Sequence, residues 1–377
     1  MRFKITLVFL LISLILVASS SYISEVFEYV PAPGQFINTL PAYEDGDGAD
    51  DMAQKVEERI AGVSTGQLVC LGAFGGYVVV GFDHTIQNVK GEYDFKVYGN
   101  AFANSAEPAI MEVMYDANGN GLPDDTWYEI AGSEYGNKST IRNYEITYYK
   151  PSAEDDAASG NIEEYIKWLD NQGNSGYIQK NVFHKQSYYP LWINETSYTL
   201  KGTLLPKNAQ NTGTDSNPYW ILPAFEWGYA DNQPNTSDLS NIKIDWAVDD
   251  NGDAVDLPGV NFIKIYTAEN QSAGWLGETS SELCGIEDLH YSLDVFENNQ
   301  LTDFVQNPFY DNISVKLSAD SKLTLMRIDG HVLKIINCAE GETTIDASFI
   351  EMGWYLLLIE SNTKYGVYKI LKSARNY

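Results

Sequence analysis

The residues whose spacing best fits a known chemistry lie in the segment 116–125, which reads DANGNGLPDD. Oxygen-bearing side chains alternate along it and Gly121 occupies the sixth position, as a loop that wraps Ca²⁺ requires. Trp127 stands where an EF-hand has its glutamate, and a strand-like run precedes the loop. The pattern therefore predicts a calcium loop between β-strands; the alternative is a polar hairpin loop. The predicted ligands are Asp116, Asn118, Asn120, Leu122 through its carbonyl, Asp124 and Asp125.

Two further acidic segments match a metal loop less well. One alternates in the same way but has its glycine at the fourth position, and its candidate ligands are Asp249, Asn251, Asp253 and Asp256. The other is the cluster 44–51, where Asp50 and Asp51 also suit the start of a helix. Solvated turns and helix capping are the alternatives for these two segments.

A second set of residues could bind an organic ligand. His84, Asp94, Asn100 and Glu107 are close in sequence, and we expect them to converge beside the 116–125 loop. Tryptophan and tyrosine rings stack on sugars, although most such rings fill a β-sandwich core. The predicted ligand-binding residues are His84, Asp94, Asn100, Glu107, Trp127, Glu129, Trp227, Tyr229 and Trp275.

Catalytic motifs have little support in this sequence. Its four histidines show no zinc-binding spacing, and it contains no Gly-x-Ser-x-Gly motif. Glu107 and Glu129 could act as the paired carboxylates of a glycosidase, but any acidic chain offers such a pair. No catalytic residue is therefore assigned, and a carbohydrate-active hydrolase is the alternative to a binding protein.

The charge of the chain is confined to one segment. The 377 residues carry a net charge of −28, and 22–305 holds 14 basic and 44 acidic residues. Phosphate binding needs a basic surface, so this segment excludes a nucleic-acid binder and disfavours an anionic membrane as partner. It suits a cation-binding or well-solvated surface.

The elements that must position these residues are mainly short strands. Runs of alternating apolar and polar residues between turn-forming residues predict antiparallel sheets with one buried face. Apolar spacing predicts two short helices, at 50–60 and 161–169. The predicted fold class is all-β: a jelly-roll-like β-sandwich with two short helices and long loops, followed by a small Ig-like β-sandwich.

The first 21 residues have the pattern of a secretory signal peptide. Arg2 and Lys4 precede an apolar run of about fourteen residues, shorter than a membrane-spanning helix, and small residues follow it. We therefore expect export, and no transmembrane segment in the mature chain. An oxidising compartment permits disulfides, so Cys70 and Cys284 could pair, or remain buried thiols, while Cys338 is left over.

The last segment, 306–377, resembles the C-terminal sorting domain of the type IX secretion system of Bacteroidetes. The residues that carry the resemblance are Asn307-Pro308, Asp329-Gly330, Gly341, Ile345-Asp346, Gly353-Trp354-Tyr355, Lys369 and Lys372. Met326-Arg327 and the extra residues 374–377 depart from the usual pattern. The resemblance implies recognition by the type IX machinery, followed by secretion or attachment to surface lipopolysaccharide. An ordinary Ig-like binding module is the alternative.

The central segment, 22–305, is similar to a group of Bacteroidetes secreted or cell-surface proteins of unknown function, of the PKD-associated type. The segments that carry this similarity include 29–36, 75–84, 94–102, Glu107-Pro108, 127–129, 227–231 and 275–278. The resemblance implies a surface location and capture of a nutrient. We therefore predict a non-catalytic, Ca²⁺-stabilised surface protein that binds a glycan or small nutrient. A corrinoid or nutrient-uptake accessory protein is a further alternative.

Overall fold

The computed structural model describes residues 20–291, 302–328, 331–361 and 365–373. Most of the predicted signal peptide, the turn at 329–330 and the residues 374–377 lie outside the described parts. The chain divides into two compact units between Tyr291 and Ser292. This division precedes the predicted boundary at 305/306, because the strand Thr302–Val305 pairs within the second unit.

The first unit is built mainly of strands. Its helices are α1 (Ala49–Ile60) and α2 (Ala153–Ala157). Its strands are, in chain order, β1 Glu25–Val30, β2 Val69–Cys70, β3 Tyr77–Gln87, β4 Phe95–Tyr98, β5 Ala109–Met114, β6 Trp127–Ile130, β7 Ile141–Tyr149, β8 Ile162–Asp170, β9 Ser175–Lys180, β10 Ser197–Leu204, β11 Gln210–Asn211, β12 Trp220–Ile221, β13 Asn241–Ile242, β14 Ala247–Val248, β15 Gly259–Thr267, β16 Glu282–Leu283 and β17 Gly285–Asp288. The short strands β13 and β14 are separated by a 3₁₀ turn, Ile244–Trp246.

The largest sheet has six antiparallel strands in the order β1-β3-β15-β5-β6-β14, and a smaller sheet has the order β13-β4-β17. Buried side chains from both sheets form one hydrophobic core, which explains the alternation seen in the sequence. Helix α1 adds Met52, Val56 and Ile60 to this core, as their spacing predicts. The all-β sandwich class is thereby confirmed for the first unit.

A third sheet, in the order β10-β7-β8-β9, has a separate aromatic-rich core. It includes β8, which the sequence analysis predicted as a helix, and that prediction is wrong. The register of β8 shifts between Ile162 and Ile166, so Tyr165 and Ile166 are both buried although they are adjacent. A bulge of this kind gives a strand the apolar spacing of a helix.

The second unit consists of two small sheets. Its strands are β18 Thr302–Val305, β19 Asn312–Leu317, β20 Ser321–Arg327, β21 Val332–Cys338, β22 Gly341–Asp346, β23 Gly353–Glu360 and β24 Tyr365–Lys372. One sheet has the order β18-β19-β22 and the other β21-β20-β23-β24, with a shared core around Phe309, Ile313 and Leu357. The strands predicted for this segment are confirmed.

Two negative findings concern the described residues. None of their helices combines the length and the apolar character needed to cross a membrane. Cys70, Cys284 and Cys338 are free thiols, so the pairing of Cys70 with Cys284 that the sequence left open is not present.

Gly76 permits a close crossing of two backbone segments. A Cβ at this position would lie 1.9 Å from the carbonyl oxygen of Leu71 and 2.3 Å from the amide nitrogen of Ala32. Both are backbone atoms, so no side-chain movement relieves the clash. We expect Gly76→Ala to destabilise the protein by about 3–5 kcal/mol in chemical denaturation. Gly136→Ala, where a Cβ meets nothing within 4 Å, is the control; equal curves for the two variants would contradict this explanation.

Candidate functional site

The 116–125 loop connects β5 to β6 and is folded around its own carboxylates. Asp116 accepts hydrogen bonds from the backbone N–H groups of Gly119, Asn120 and Gly121 at 2.8–3.2 Å. The same loop holds the other predicted ligands: the side-chain amides of Asn118 and Asn120 donate to Asp124, Asp125 accepts from the backbone at 117 and 118, and Leu122 is exposed. The loop therefore presents several oxygen atoms from one short segment.

The two weaker acidic segments have other partners. Asp249 accepts the backbone N–H groups of Asn251 and Asp253 at 2.9 Å, as in a simple turn. Asp256, predicted to belong to the same loop, forms an ion pair with Lys90 at 2.5 Å.

In the cluster 44–51, Lys55 pairs with Asp47 at 2.7 Å, and Asp51 accepts the N–H of Gly48 at the start of α1. Ion pairing and capping therefore account for much of this cluster.

His84, Asp94, Asn100 and Glu107, which were predicted to converge beside the 116–125 loop, instead fall into two separate groups. His84 hydrogen-bonds to Asp83 at 2.8 Å and to Asp288 at 3.0 Å. Burial opposes a charge on His84, yet these two carboxylates raise its pKa above the usual value. Asp94 is fully buried and accepts the N–H groups of residues 89 and 244. This first group supports the ends of strands.

Asn100 and Glu107 belong to the second group, a buried carboxylate cluster formed by Glu107, Asp231 and Glu282. The oxygen atoms of these three residues lie within 4.8 Å of one another, a spacing that could hold a metal ion. Asp231 accepts the N–H groups of Asn100 at 2.5 Å and of Glu282 at 2.8 Å. In the part of the chain that the structure describes, this cluster forms no ion pair with a basic residue.

When no cation is bound, protonation of its carboxyl groups lowers the negative charge of the carboxylate cluster. Burial, followed by the charge of Asp231, raises the pKa of Glu107 to about 8. Burial also raises the pKa of Asp231 to about 7. The pKa of Glu282 lies well above its usual value, because of burial and then of its two acidic neighbours. Near neutral pH the cluster therefore retains protons in the folded state.

Four of the predicted ligand residues lie on β6 or in the loop 227–229. Trp127 and Glu129 lie on β6, and Glu129 accepts the hydroxyl of Thr203 at 2.6 Å. Burial raises the pKa of Glu129 to about 7. Trp227 packs on Trp246, with ring centroids 4.6 Å apart.

Tyr229 is only 2% exposed, and its hydroxyl accepts the N–H of Glu134. Tyr229 is therefore a core residue, and its prediction as a ligand contact is not supported. The sequence Trp-Gly-Tyr at 227–229 does not by itself show whether Tyr229 lies in a surface loop or in the core.

Trp275 is 59% exposed, in contrast to Tyr229. It lines a cleft of about 370 Å³. Two more exposed rings, Phe183 and Tyr177, line the same cleft. Polar lining side chains include Asn181, Gln271 and Glu278. Aromatic surface together with a few polar groups is the usual composition of a small-molecule site.

Trp275 is presented by a tight 3₁₀ turn, Gly274–Leu276, with a glycine on either side of the Trp-Leu pair. Gly274 and Gly277 have φ values of +62° and +100°, and a Cβ on either would overlap a neighbouring side chain. Gln35 braces the turn, because its side-chain amide donates to the carbonyl of Leu276 at 2.8 Å. The turn formed by the sequence GWLGE at 274–278 thus positions both Trp275 and Glu278.

Glu278 is the buried acidic group of the cleft. It is 9% exposed, and its Oε1 accepts the backbone N–H of Gln35 at 2.5 Å. Its Oε2 is buried and has no hydrogen-bond partner. Burial raises the pKa of Glu278 to about 7. The sequence analysis singled out Trp275 but missed Glu278, Asp231 and Glu282, because no local pattern marks an acid as buried.

The comparisons with known proteins leave this chain without a family. No family model matches it, and no curated protein does. Among solved structures it is similar to a "Biofilm associated protein - BSP domain", with 12% identity and a TM-score of 0.17 over 86% of this chain and 55% of that one. It is also similar to PorZ, a surface component of the type IX secretion system of Porphyromonas gingivalis, with 11% identity and a TM-score of 0.18 over 85% and 53%. The chain spans about half the length of each structure, and scores this low carry no argument.

Proposed function

We propose that this protein is exported to the cell surface and binds a glycan or small nutrient in the Trp275 cleft without catalysing a reaction. The observation that carries the proposal is an exposed tryptophan beside a buried carboxyl group in one cleft. Aromatic faces bind the apolar side of a sugar ring, and a few fixed polar groups give orientation. The binding role rests on the geometry of this cleft.

The surface location rests on the sequence. The signal-peptide pattern of 1–21 and the sorting-domain motifs of 306–377 support export through the type IX machinery. The second unit, with its two small sheets, has the architecture that those motifs imply. Secretion and attachment to lipopolysaccharide are equivalent outcomes for this proposal, since both place the cleft outside the cell.

Calcium is the proposed stabilising ion. The 116–125 loop offers the oxygen donors that Ca²⁺ prefers, and Asp116 is already oriented by three backbone N–H groups. Bound Ca²⁺ would offset part of the negative charge of the first unit. It would act on stability and loop order, since no ligand-binding step is assigned to it.

The exported chain should be screened against a glycan array and against cobalamin, with two variants in parallel. Trp275→Ala removes the exposed ring of the cleft, and Phe102→Ala removes a ring that is 62% exposed outside it. We expect Trp275→Ala to weaken binding at least about tenfold, the equivalent of 1.4 kcal/mol. Phe102→Ala should bind as the unmodified chain does.

Three results would contradict the proposal. One is that no glycan or cobalamin binds, and another is that both variants bind equally well. The third is release of shorter saccharides during incubation, which would favour the hydrolase. Against the hydrolase, its two predicted carboxylates have different partners: Glu107 lies in the carboxylate cluster, and Glu129 binds Thr203.

A further inference from the structure

The cleft contains a buried acid that aromatic stacking does not require. Glu278 lines it and has a buried oxygen without a partner. Carboxyl groups retain buried positions when a donor or a positive charge satisfies both oxygens. The backbone N–H of Gln35 donates to Oε1 of Glu278, whereas Oε2 has no hydrogen-bond partner.

Further acids lie behind Glu278. Ser280, two residues along, donates its N–H to Glu107 of the carboxylate cluster at 3.2 Å. Gln271, which lines the cleft, donates to Glu269 at 2.7 Å, and Glu269 is fully buried. A positive group in the cleft would favour the ionised form of these carboxyl groups over the protonated form that burial favours.

The lysines of the cleft do not neutralise Glu278. The ammonium of Lys180 donates to the backbone carbonyl of Asp156 at 2.6 Å and lies 4.8 Å from the centre of the Tyr165 ring. Lys207 is exposed, and no ion pair joins either lysine to Glu278 among the described residues. Glu163 is a second acid of the cleft but is exposed to solvent.

The exposed rings add a second preference for a cation. Trp275, Phe183 and Tyr177 line the cleft, and aromatic faces attract an ammonium group through the ring quadrupole. The terminal torsion of a glutamate has only a broad preference, so the carboxyl group of Glu278 can adjust its orientation to a ligand. A buried carboxylate and aromatic rings therefore act on the same ligand charge.

We propose that the cleft selects ligands that carry an ammonium group, in particular amino sugars, and that Glu278 pairs with this group while Trp275 packs on the ring. This inference rests on the proposed function, because it names the ligand class of the same cleft. A charge-assisted hydrogen bond to a buried carboxylate is about twice as strong as a neutral one. Selectivity for the amine thus depends on Glu278, whereas stacking depends on Trp275.

The test compares sugars that differ at one position. D-glucosamine, D-glucose and N-acetyl-D-glucosamine, and the three corresponding galactose sugars, are titrated into the exported chain by calorimetry near neutral pH. We expect an amine sugar to bind at least about tenfold more tightly than its neutral counterparts. Glu278→Gln should reduce this ratio to about one while neutral binding persists, and Glu164→Gln, at an exposed acid outside the cleft, should leave it unchanged.

The outcomes separate this inference from the proposed function. Trp275-dependent binding of neutral sugars without an amine preference overturns the inference alone. Equal loss of the preference in Glu164→Gln and Glu278→Gln also overturns it, since the general charge of the protein would then be the cause. If none of the six sugars binds, the inference fails, and the proposed function then depends on the wider screen. A cooperative thermal transition and an unchanged far-UV circular dichroism spectrum verify that Glu278→Gln is folded.

Discussion

We expect the melting temperature of the chain to fall as the pH rises from about 5 to about 8.5 in the presence of a chelator. Four carboxyl groups, two buried and two partly buried, are responsible: the pKa of Glu107 is raised to about 8, and the pKa values of Asp231, Glu278 and Glu129 to about 7. Each is raised above its value in the unfolded chain. The folded protein therefore keeps protons that the unfolded chain has already released, and the stability contributed by these protons is lost as the pH passes through 7–8.

The expected effect is large because several groups act in the same direction. One pKa unit corresponds to about 1.4 kcal/mol, so three or four such groups contribute several kcal/mol. At about 2–4 °C per kcal/mol, the melting temperature should fall on the order of 10 °C across this range. Acids whose pKa is lowered, such as Asp170 and Asp245, titrate below this range and do not offset the trend.

Scanning calorimetry of three chains measures this effect. Glu282→Gln removes one charge from the carboxylate cluster with little change in shape, and it should raise the melting temperature at high pH and flatten the trend. Glu163→Gln, an exposed acid, should follow the unmodified chain. A melting temperature that stays constant or rises between about pH 5 and 8.5 would contradict the protonation of these buried acids.

Removal of the proposed calcium ion should give the second large effect. A ligand at about 100 times its dissociation constant stabilises the folded state by about 2.7 kcal/mol. We therefore expect EDTA to lower the melting temperature by roughly 5–10 °C at neutral pH. Asp116→Ala should remove most of this response, because Asp116 occupies the first ligand position of the loop.

Two further variants test which residues bind the ion. Asp249→Ala changes the weaker loop and should keep the full response to EDTA. If the response survives Asp116→Ala but disappears in Glu282→Gln, the cation occupies the carboxylate cluster instead of the loop. A melting temperature that is the same with Ca²⁺ and with EDTA would contradict the calcium proposal altogether.

The parts of the fold that were predictable from sequence depend on local periodicity. Helix α1 and the strands of the second unit follow from apolar spacing and turn residues within short windows. Strand β8 did not, because its bulge buries two adjacent residues and so reproduces helical spacing. Local patterns cannot show a bulge, which depends on the neighbouring strands.

The site was predictable only in part, for a similar reason. Trp275 could be singled out because polar residues and glycines surround it in sequence, and it is exposed in the structure. Tyr229, with a similar sequence context, is buried by contacts with distant residues. The carboxylate cluster joins positions 107, 231 and 282, which only the tertiary fold brings together.

A crystal structure of the exported chain with the tightest-binding compound of the proposed screen tests the central claim most directly. The account predicts that this compound occupies the cleft, in van der Waals contact with the ring of Trp275 and within hydrogen-bond distance of Glu278. A compound bound at another surface, with the cleft holding only water, would contradict the assignment of this cleft as the ligand-binding site.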